Sequence, residues 1–259
     1  MEVRVILRRG WFSLICVVAT VCQPGCNGAP GTVDEVVELN TEAMGGRRAI
    51  EAVQSIAVEL HIVDPDFAVD GTYRAKRPGK MRIDVMAEGR HVYTEAFDGR
   101  RGWQWKGKGT ETVDESPKAT ATLRHGVQLP GNLYGLQELR QLGHQIELGG
   151  RERVDGIDYY LLKLTLDDGF TTTLYVDPES WLITRRRDVR PLHIDIDPTP
   201  TTIEHLMTDF RKVDGVMRSF ANTETDLKTG KLLETTTIRT ITSNPKCDDA
   251  IFETLGDDK

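Results

Sequence analysis

The sequence has almost no cysteine outside its first 26 residues, and this excludes a disulfide-held fold. Cys16, Cys22 and Cys26 lie in that short stretch, which leaves Cys247 alone in the remaining chain. A single cysteine cannot form an internal disulfide, and Cys247 has no CxxC motif or neighbouring histidine that would indicate a metal or redox site. We therefore expect a fold that is held by its hydrophobic core, with Cys247 as a packing residue.

An excess of positive charge is also missing, as are the motifs of the common enzyme classes. The chain has 33 lysines and arginines against 40 aspartates and glutamates, for a formal charge of −7. Nucleic acid favours a basic surface, so it is not an expected partner. The sequence contains no G-x-S-x-G, H-E-x-x-H, Walker A or G-x-G-x-x-G motif. We therefore expect a protein that is not an enzyme and has no cofactor.

One histidine has a setting that could suit a metal. His193, Asp195 and Asp197 alternate in sequence, so on a strand they would share one face. Such an oxygen-rich set would suit a hard or borderline cation. The more ordinary interpretation is a charged edge strand that ends at Pro198, because charges protect sheet edges. We expect no metal site, and a metal-dependent hydrolase using these three residues stays open as a minor hypothesis.

Long hydrophobic runs are absent except at the N-terminus. Arg4, Arg8 and Arg9 precede an uncharged apolar run over residues 11–21, which Pro24 then interrupts. The run is too short to span a bilayer and is typical of an export signal. We therefore predict a signal peptide over residues 1–25.

The end of this signal predicts a lipid anchor. Gly25 precedes Cys26, as a small residue precedes the acylated cysteine of bacterial lipoproteins. Acylation of Cys26 would place the protein on the cell-envelope membrane. Gln23 departs from the usual apolar residue of such signals, so ordinary cleavage nearby and a free periplasmic protein is the alternative. Residues 26–32 then form a Gly/Pro tether, and residues 33–259 form one domain, which we expect to be monomeric.

Alternating apolar residues dominate the chain after residue 54. Met81, Ile83 and Val85 illustrate the pattern, which recurs between Asp-Gly pairs. An Asp-Gly pair between such runs is a strong hairpin signal, because both turn residues need positive φ. The five pairs are Asp70-Gly71, Asp98-Gly99, Asp155-Gly156, Asp168-Gly169 and Asp214-Gly215. The sequence therefore predicts a mainly β fold with about eleven strands in an antiparallel meander.

Helical spacing occurs in two places. Val33, Val36 and Val37 predict an N-terminal helix that ends at Gly45, and residues 48–54 could restart it. Residues 117–143 contain leucines at helical spacing and no β alternation. We predict that this helical insertion covers the open sheet face, because an apolar sheet face cannot remain in water.

Two strands carry unusual side chains. Arg185, Arg186 and Arg187 are predicted to lie on solvated strand faces, with Arg186 opposite its neighbours. The strand around Tyr159 and Tyr160 is apolar on both faces, which is uncommon in a sheet with one wet face. One of its faces should therefore meet a helix, a ligand or both.

Two short motifs follow the first strands of the predicted meander. Residues 75–83 contain Lys-Arg-Pro and, after two further residues, Met-Arg, and residues 97–103 contain an Asp-Gly turn followed by Trp. Both motifs resemble those of the LolA-like family of lipoprotein carriers and sorting proteins. Residues 43–50, 209–216 and 244–252 resemble further segments of this family in the same order, so the resemblance covers nearly all of the chain after the predicted signal.

The resemblance implies an unclosed β-barrel whose helical lid covers an apolar cavity for acyl chains. It assigns a lid-gating role to Arg77, with Arg82 as a weaker candidate. We expect the cavity to be lined by Trp103, Trp105, Leu133, Leu139, Tyr159 and Phe170.

The implied partners are lipid acyl chains or lipoproteins. An anchored protein would resemble LolB, the outer-membrane acceptor, more than the soluble carrier, and residues 190–205 have no counterpart in the carrier. The same fold also serves envelope regulators that bind an anti-sigma factor, so a sensor or interaction protein is the alternative function.

Overall fold

A computed structural model of the chain describes residues 29–191, 197–253 and 255. The predicted signal over residues 1–25 and the acylation of Cys26 lie outside the described residues, as do His193 and Asp195 of the metal hypothesis. Residues 31–259 belong to one compact unit.

The described residues form thirteen strands in one antiparallel sheet. The prediction of a mainly β, unclosed barrel is confirmed, with two strands more than expected. A strand as short as two residues has no alternation that a sequence pattern could reveal. The strands are β1 (Ser55–Val63), β2 (Ala68–Lys76), β3 (Lys80–Ala87), β4 (Arg90–Phe97), β5 (Gly102–Trp105), β6 (Val113–Asp114), β7 (Gln145–Val154), β8 (Ile157–Thr165), β9 (Thr171–Val176), β10 (Ile183–Arg190), β11 (Thr201–Val213), β12 (Val216–Asp226) and β13 (Leu232–Ser243).

The sheet consists of two meanders that are joined by the pairing of β1 with β13. The strand order is β6-β5-β4-β3-β2-β1-β13-β12-β11-β10-β9-β8-β7. Strands β6 and β7 are consecutive in the chain but form the two opposite edges. The chain between them must therefore cross the sheet, and the predicted insertion lies there.

Five helices accompany the sheet in the described residues. They are α1 (Val33–Ala43), α2 (Arg47–Glu51), α3 (Pro117–Gln128), α4 (Leu136–Gln141) and α5 (Ala250–Glu253). The N-terminal helix and the helical insertion are as predicted. We call residues 117–142 the lid and the sheet face beneath it the inner face.

The start and end of α1 follow from local chemistry. The Thr32 side chain accepts a hydrogen bond from the Glu35 amide, and the Glu35 carboxylate accepts one from the Thr32 amide, which is a capping box. The helix ends before Gly45, whose φ is +117°. A Cβ at Gly45 would lie 2.0 Å from the carbonyl oxygen of Gly215, so glycine is required where α1 meets the β11–β12 hairpin.

Four of the five Asp-Gly pairs lie in turns, and one does not. Asp155 and Gly156 have φ of +50° and +86°, as a tight hairpin requires. Asp70-Gly71 lies inside β2 instead, so the predicted turn there is wrong. Gly71 leaves room for Leu60 on β1, because a Cβ would approach Leu60 Cδ1 to 2.8 Å. The glycine serves close packing and not a turn.

The two sheet faces have separate cores. The larger one lies on the inner face between the sheet, α1, α2 and the lid, and includes Val36, Ile56, Leu136, Leu139 and Leu162. A smaller cluster of Ala96, Trp103 and Trp105 lies on the outer face, where Leu255 packs against it. Because of these two cores, β4 has buried apolar residues on both sides, such as Ala96 and Phe97.

A cavity between the sheet and its lid

A cavity of about 420 Å³ lies between the inner face and the lid. This volume is within the range of roughly 300–1,000 Å³ that is usual for small-molecule sites. Most of its wall is apolar, and both sheet and lid contribute to it. The apolar wall includes Met44, Ile56, Val58, Leu60, Met81, Leu123, Val127, Leu129, Ile183, Met207, Phe210, Met217, Ile238 and Ile241.

Charged side chains from β10 to β13 line one part of the cavity. Arg186 donates a hydrogen bond to His205 Nε2 over 2.7 Å, and His205 Nδ1 lies 3.0 Å from Glu224 Oε1. Burial acts against ionisation of Glu224, but the hydrogen bond from His205 and the nearby arginines hold its pKa below the usual value. Burial raises the pKa of Glu234, the cross-strand partner of Glu224. This part of the wall is a paired ionic network and not an apolar surface.

Arg77 links the sheet to the lid. It follows β2, and its Nη1 lies 2.6 Å from Glu138 Oε1 on α4. Its guanidinium also donates to the carbonyl oxygens of Val53 (2.7 Å) and Leu133 (2.5 Å) and stacks 4.4 Å from the ring centre of Tyr134. The side chains of Arg77 and Glu138 are only 16% and 8% exposed, so the pair is largely buried. These contacts are suited to the gating role that the resemblance predicts, which stays a prediction.

A second arginine, which the sequence analysis did not select, also contacts the lid. Arg218 on β12 lines the cavity and is 6% exposed. Its Nη1 donates hydrogen bonds to the carbonyl oxygens of Gly131 and Asn132, between α3 and α4. The lid is therefore held on the sheet by two arginines that come from different meanders.

The far end of α3 is attached to the β8–β9 turn. The Asp168 carboxylate binds both Arg124 and His125 of α3, with His125 Nε2 2.6 Å away. Burial acts against the charge of Asp168, but the hydrogen bonds from His125 and the Phe170 amide lower its pKa to about 2. His125 also stacks on Phe170 at 4.3 Å between ring centres. This contact holds the lid near the edge formed by β7, β8 and β9.

Arg82, the weaker gating candidate, is engaged elsewhere. Its guanidinium binds the Asp84 carboxylate at 2.7 Å and donates to the carbonyl oxygens of Ile251 (2.8 Å) and Leu255 (3.3 Å). It also lies 5.8 Å from the ring centre of Trp103, on the outer face. The structure thus places Arg82 with the C-terminal segment, and we correct its predicted role from lid gating to fastening that segment.

Three of the predicted cavity residues lie on the outer face, so their prediction is wrong. Trp103 is fully buried and donates its indole N–H to the Phe252 carbonyl oxygen over 2.8 Å. Trp105 donates to the Gly109 carbonyl oxygen over 2.9 Å. Tyr159 packs edge-on against Tyr175, with Arg185 above it. Alternation shows that Trp103 and Trp105 share a face but does not show which face lies under the lid.

The other three predicted cavity residues are on the correct side but do not line the cavity. Leu133 and Leu139 are 1% and 0% exposed and fill the inner core. Phe170 packs against the same core and is covered by His125. These side chains support the lid, whereas the open volume borders flexible residues such as Met207 and Met217.

The three consecutive arginines are not solvated as predicted. Arg185 and Arg187 both bind Glu204, and Arg187 also binds Glu152 at 2.8 Å. Arg186 points to the other side, where it lines the cavity. The prediction of opposite faces is right, but all three side chains are largely buried, because Glu204 on β11 pairs with Arg185 and Arg187 and Asp188 on β10 pairs with Arg186. A local pattern does not reveal the pairing with Glu204.

Across residues 29–191, 197–253 and 255, no cluster of three or more metal-ligating side chains is present, and no helix has the length and apolarity to cross a membrane.

Comparisons with known proteins identify the fold. No protein-family description and no curated protein sequence matches this chain. Among solved structures, a LolA superfamily protein from Nitrosomonas europaea superposes with a TM-score of 0.56 at 14% identity, covering 86% of this chain and 98% of its own. A DUF1329 family protein from Desulfovibrio piger superposes with a TM-score of 0.57 at 14% identity, covering 85% of this chain and 97% of its own.

A third solved structure, from Vibrio parahaemolyticus, is named as an outer membrane lipoprotein-sorting protein domain. It gives a TM-score of 0.55 at 11% identity and covers 85% of this chain and 96% of its own. The chain therefore has the LolA-like fold that its sequence motifs predicted. At such low identities the likeness establishes the fold and not the function.

Proposed function

We propose that this protein binds lipid or lipoprotein acyl chains in the cavity beneath the lid and acts in lipoprotein sorting or transport. The observation that carries the proposal is the mainly apolar wall of the 420 Å³ cavity between the sheet and the lid. An acyl chain that enters it would gain about 0.8 kcal/mol for each buried methylene. Binding in this way requires no catalytic group, so we propose a binding protein and not an enzyme.

The attachment of the lid supports a cavity that opens and closes. Arg77 and Arg218 bind lid carbonyl oxygens and a carboxylate, which are polar contacts that can re-form after each opening. The apolar wall of the cavity would be exposed to water when the lid is raised, so an acyl chain would favour the closed state. Ligand and lid would then stabilise each other.

We also propose that the protein works in the periplasm after export. The predicted signal supports this location. Acylation of Cys26 would make it an anchored acceptor, whereas ordinary cleavage would make it a soluble carrier. The mass of the mature N-terminus distinguishes the two.

Filling the cavity tests the proposed binding site. Ile238 on β13 lines the cavity, and its neighbour Thr237 is exposed on the same strand and is not part of the cavity wall. Ile238→Trp should weaken the binding of a fluorescent fatty-acid probe at least about tenfold, which corresponds to ~1.4 kcal/mol. Thr237→Trp introduces the same side chain on the opposite face and should bind like the parent protein. Equal binding by both variants would exclude this cavity as the site.

A further inference from the structure

Arg218 is a buried cation in the cavity without a carboxylate partner. It is 6% exposed, and none of the described residues places a carboxylate within 4.0 Å of its guanidinium. Both of its hydrogen bonds come from Nη1 and go to neutral carbonyl oxygens. Its Nε is fully buried and has no hydrogen-bond partner among the described residues.

The other arginine that lines this space, Arg186, and the nearby Arg77 are both paired. Arg77 binds Glu138 at 2.6 Å, so the carboxylate of the lid is already used. Arg186 lies 3.3 Å from Asp188 and also binds His205. Arg218 is therefore the cavity arginine whose charge is left uncompensated.

An uncompensated charge in an apolar wall is costly. Burial and then the repulsion from Arg77 lower the pKa of Arg218 to about 10, which still leaves the guanidinium charged at neutral pH. Buried charges in proteins are usually paired, because an unpaired one loses its hydration without compensation. An anion that enters the cavity would remove this cost.

The geometry of the guanidinium defines the anion. Nη1 is used by the lid and Nε is enclosed by protein atoms, which leaves Nη2 for a ligand. An N–H of a charged guanidinium forms a strong hydrogen bond with an oxygen of a carboxylate or a phosphate. A bare inorganic anion would leave the apolar wall unfilled, whereas an acidic lipid fills both parts.

We propose that Arg218 binds the oxyanion headgroup of an acidic single-chain lipid whose tail lies along the apolar wall of the cavity. The inference rests on the proposed lipid-binding function and adds the chemical class of the ligand. A volume of about 420 Å³ is at the small end of the usual range of ligand sites, and this favours one chain over several. Because Arg218 also holds Gly131 and Asn132, headgroup binding and lid position are connected through one side chain.

Matched ligands test this assignment without a variant. Dodecanoate, dodecyl phosphate and dodecan-1-ol share one tail and differ in the headgroup. In competition with a fluorescent fatty-acid probe, the parent protein should bind at least one of the two anions at least about tenfold more tightly than the alcohol, since hydrogen bonds to charged groups are the stronger ones. The two anions distinguish a carboxylate from a phosphate ligand. Equal affinities for all three ligands would overturn the role of Arg218 but leave the proposed function intact, whereas no binding of any of them would overturn both.

Variants of Arg218 test whether this residue causes the preference for the anion over the alcohol. Arg218→Gln should abolish the preference for the anion, measured as the ratio of the anion and dodecan-1-ol affinities of the same variant, because the loss of the lid contact changes both affinities together. Residual binding of dodecan-1-ol by this variant shows that the cavity is still formed. Arg218→Lys keeps the charge but not the planar guanidinium and should retain only part of the preference. If Arg218→Gln still prefers the anion as strongly as the parent does, another residue binds the headgroup and the proposal is wrong. If Arg218→Gln does not fold, Arg218→Lys and the ligand series on the parent protein decide the question.

Discussion

Single arginines determine how the lid meets the sheet. Arg77 combines a carboxylate with backbone carbonyl oxygens, Arg218 binds carbonyl oxygens alone, and Arg124 binds Asp168 at the far end. The sequence motif identified Arg77, because it lies in a recognisable Lys-Arg-Pro turn. Arg218 has no such motif, and only the fold shows that it faces the lid.

Removing Arg77 should destabilise the protein strongly, because Glu138 would remain buried without its cation. Arg77→Met is expected to lower the free energy of unfolding by about 3–5 kcal/mol, measured by chemical denaturation. The double variant with Glu138→Gln should recover part of this loss, because the buried charge is then gone.

Arg140→Met is the matched control for Arg77. Arg140 lies on α4, the helix that contains Glu138, but it is 42% exposed and its partner Asp34 is 73% exposed. An exposed pair contributes roughly 0–1 kcal/mol. If Arg77→Met costs no more than Arg140→Met, the Arg77–Glu138 pair does not hold the lid.

Glu95 should make the protein less stable as the pH rises. Burial and then the negative charge of Glu115 raise the pKa of Glu95 to about 7 in the folded state, against 4.5 when unfolded. Between these pH values the folded state binds more protons than the unfolded state, so its stability falls as the pH increases. Glu95→Gln should therefore be more stable than the parent protein at pH 8, by about 1–3 kcal/mol, and equal to it near pH 4.

Denaturation curves at both pH values test this prediction. Glu59→Gln on β1 controls for the substitution itself, because Glu59 is an exposed strand residue. A constant difference between Glu95→Gln and the parent across this range would contradict the assigned titration.

At the scale of elements, the sequence predicts where helices and strands occur better than it predicts which face of a strand lies under the lid. Alternation over Met81, Ile83 and Val85 located β3, and helical spacing located α1 and the lid. The face of each strand could not be assigned, because period-two alternation is the same whichever side the lid covers. For this reason Trp103 and Tyr159 were placed in the cavity although they pack on the outer face.

The attachment of α3 to the β8–β9 turn should control how often this helix opens. Asp168→Asn removes the charge that binds Arg124 and His125, so amide hydrogen exchange over residues 117–128 should become several-fold faster, with little change in β13. Because the pKa of Asp168 is lowered in the folded state, the contribution of this contact is complete above about pH 4 and is lost as the pH falls towards 2.

Asp158→Asn provides the comparison for Asp168. Asp158 pairs with Arg151 in the β7–β8 hairpin at 2.8 Å and is 51% exposed. Its loss should leave exchange in α3 unchanged. Unchanged exchange in Asp168→Asn as well would mean that the core beneath α3, and not Asp168, holds the helix.

At the scale of the whole molecule, the topology creates the cavity. Pairing of β1 with β13 brings the two ends of the domain together, which no local pattern predicts. The same arrangement puts β6 and β7 at opposite edges, so the lid must cross the inner face. The motif resemblance supplied this architecture, whereas composition alone indicated only a sheet that needs a cover.

The fold is compatible with more than one role, and what the protein binds distinguishes these roles. A carrier or acceptor must contain an acyl chain in its cavity, whereas the alternative of a sensor or interaction protein requires partner binding. That alternative stays a prediction. Measuring whether any partner binding depends on lipid would distinguish it from the carrier or acceptor role.

Native mass spectrometry of the protein produced with its own signal tests the central claim most directly. We expect the mature protein to carry an added mass that corresponds to an acyl-chain lipid, and we expect Ile238→Trp to lose this mass while Thr237→Trp retains it. A parent protein that carries no lipid and takes up no fluorescent fatty-acid probe would contradict the account.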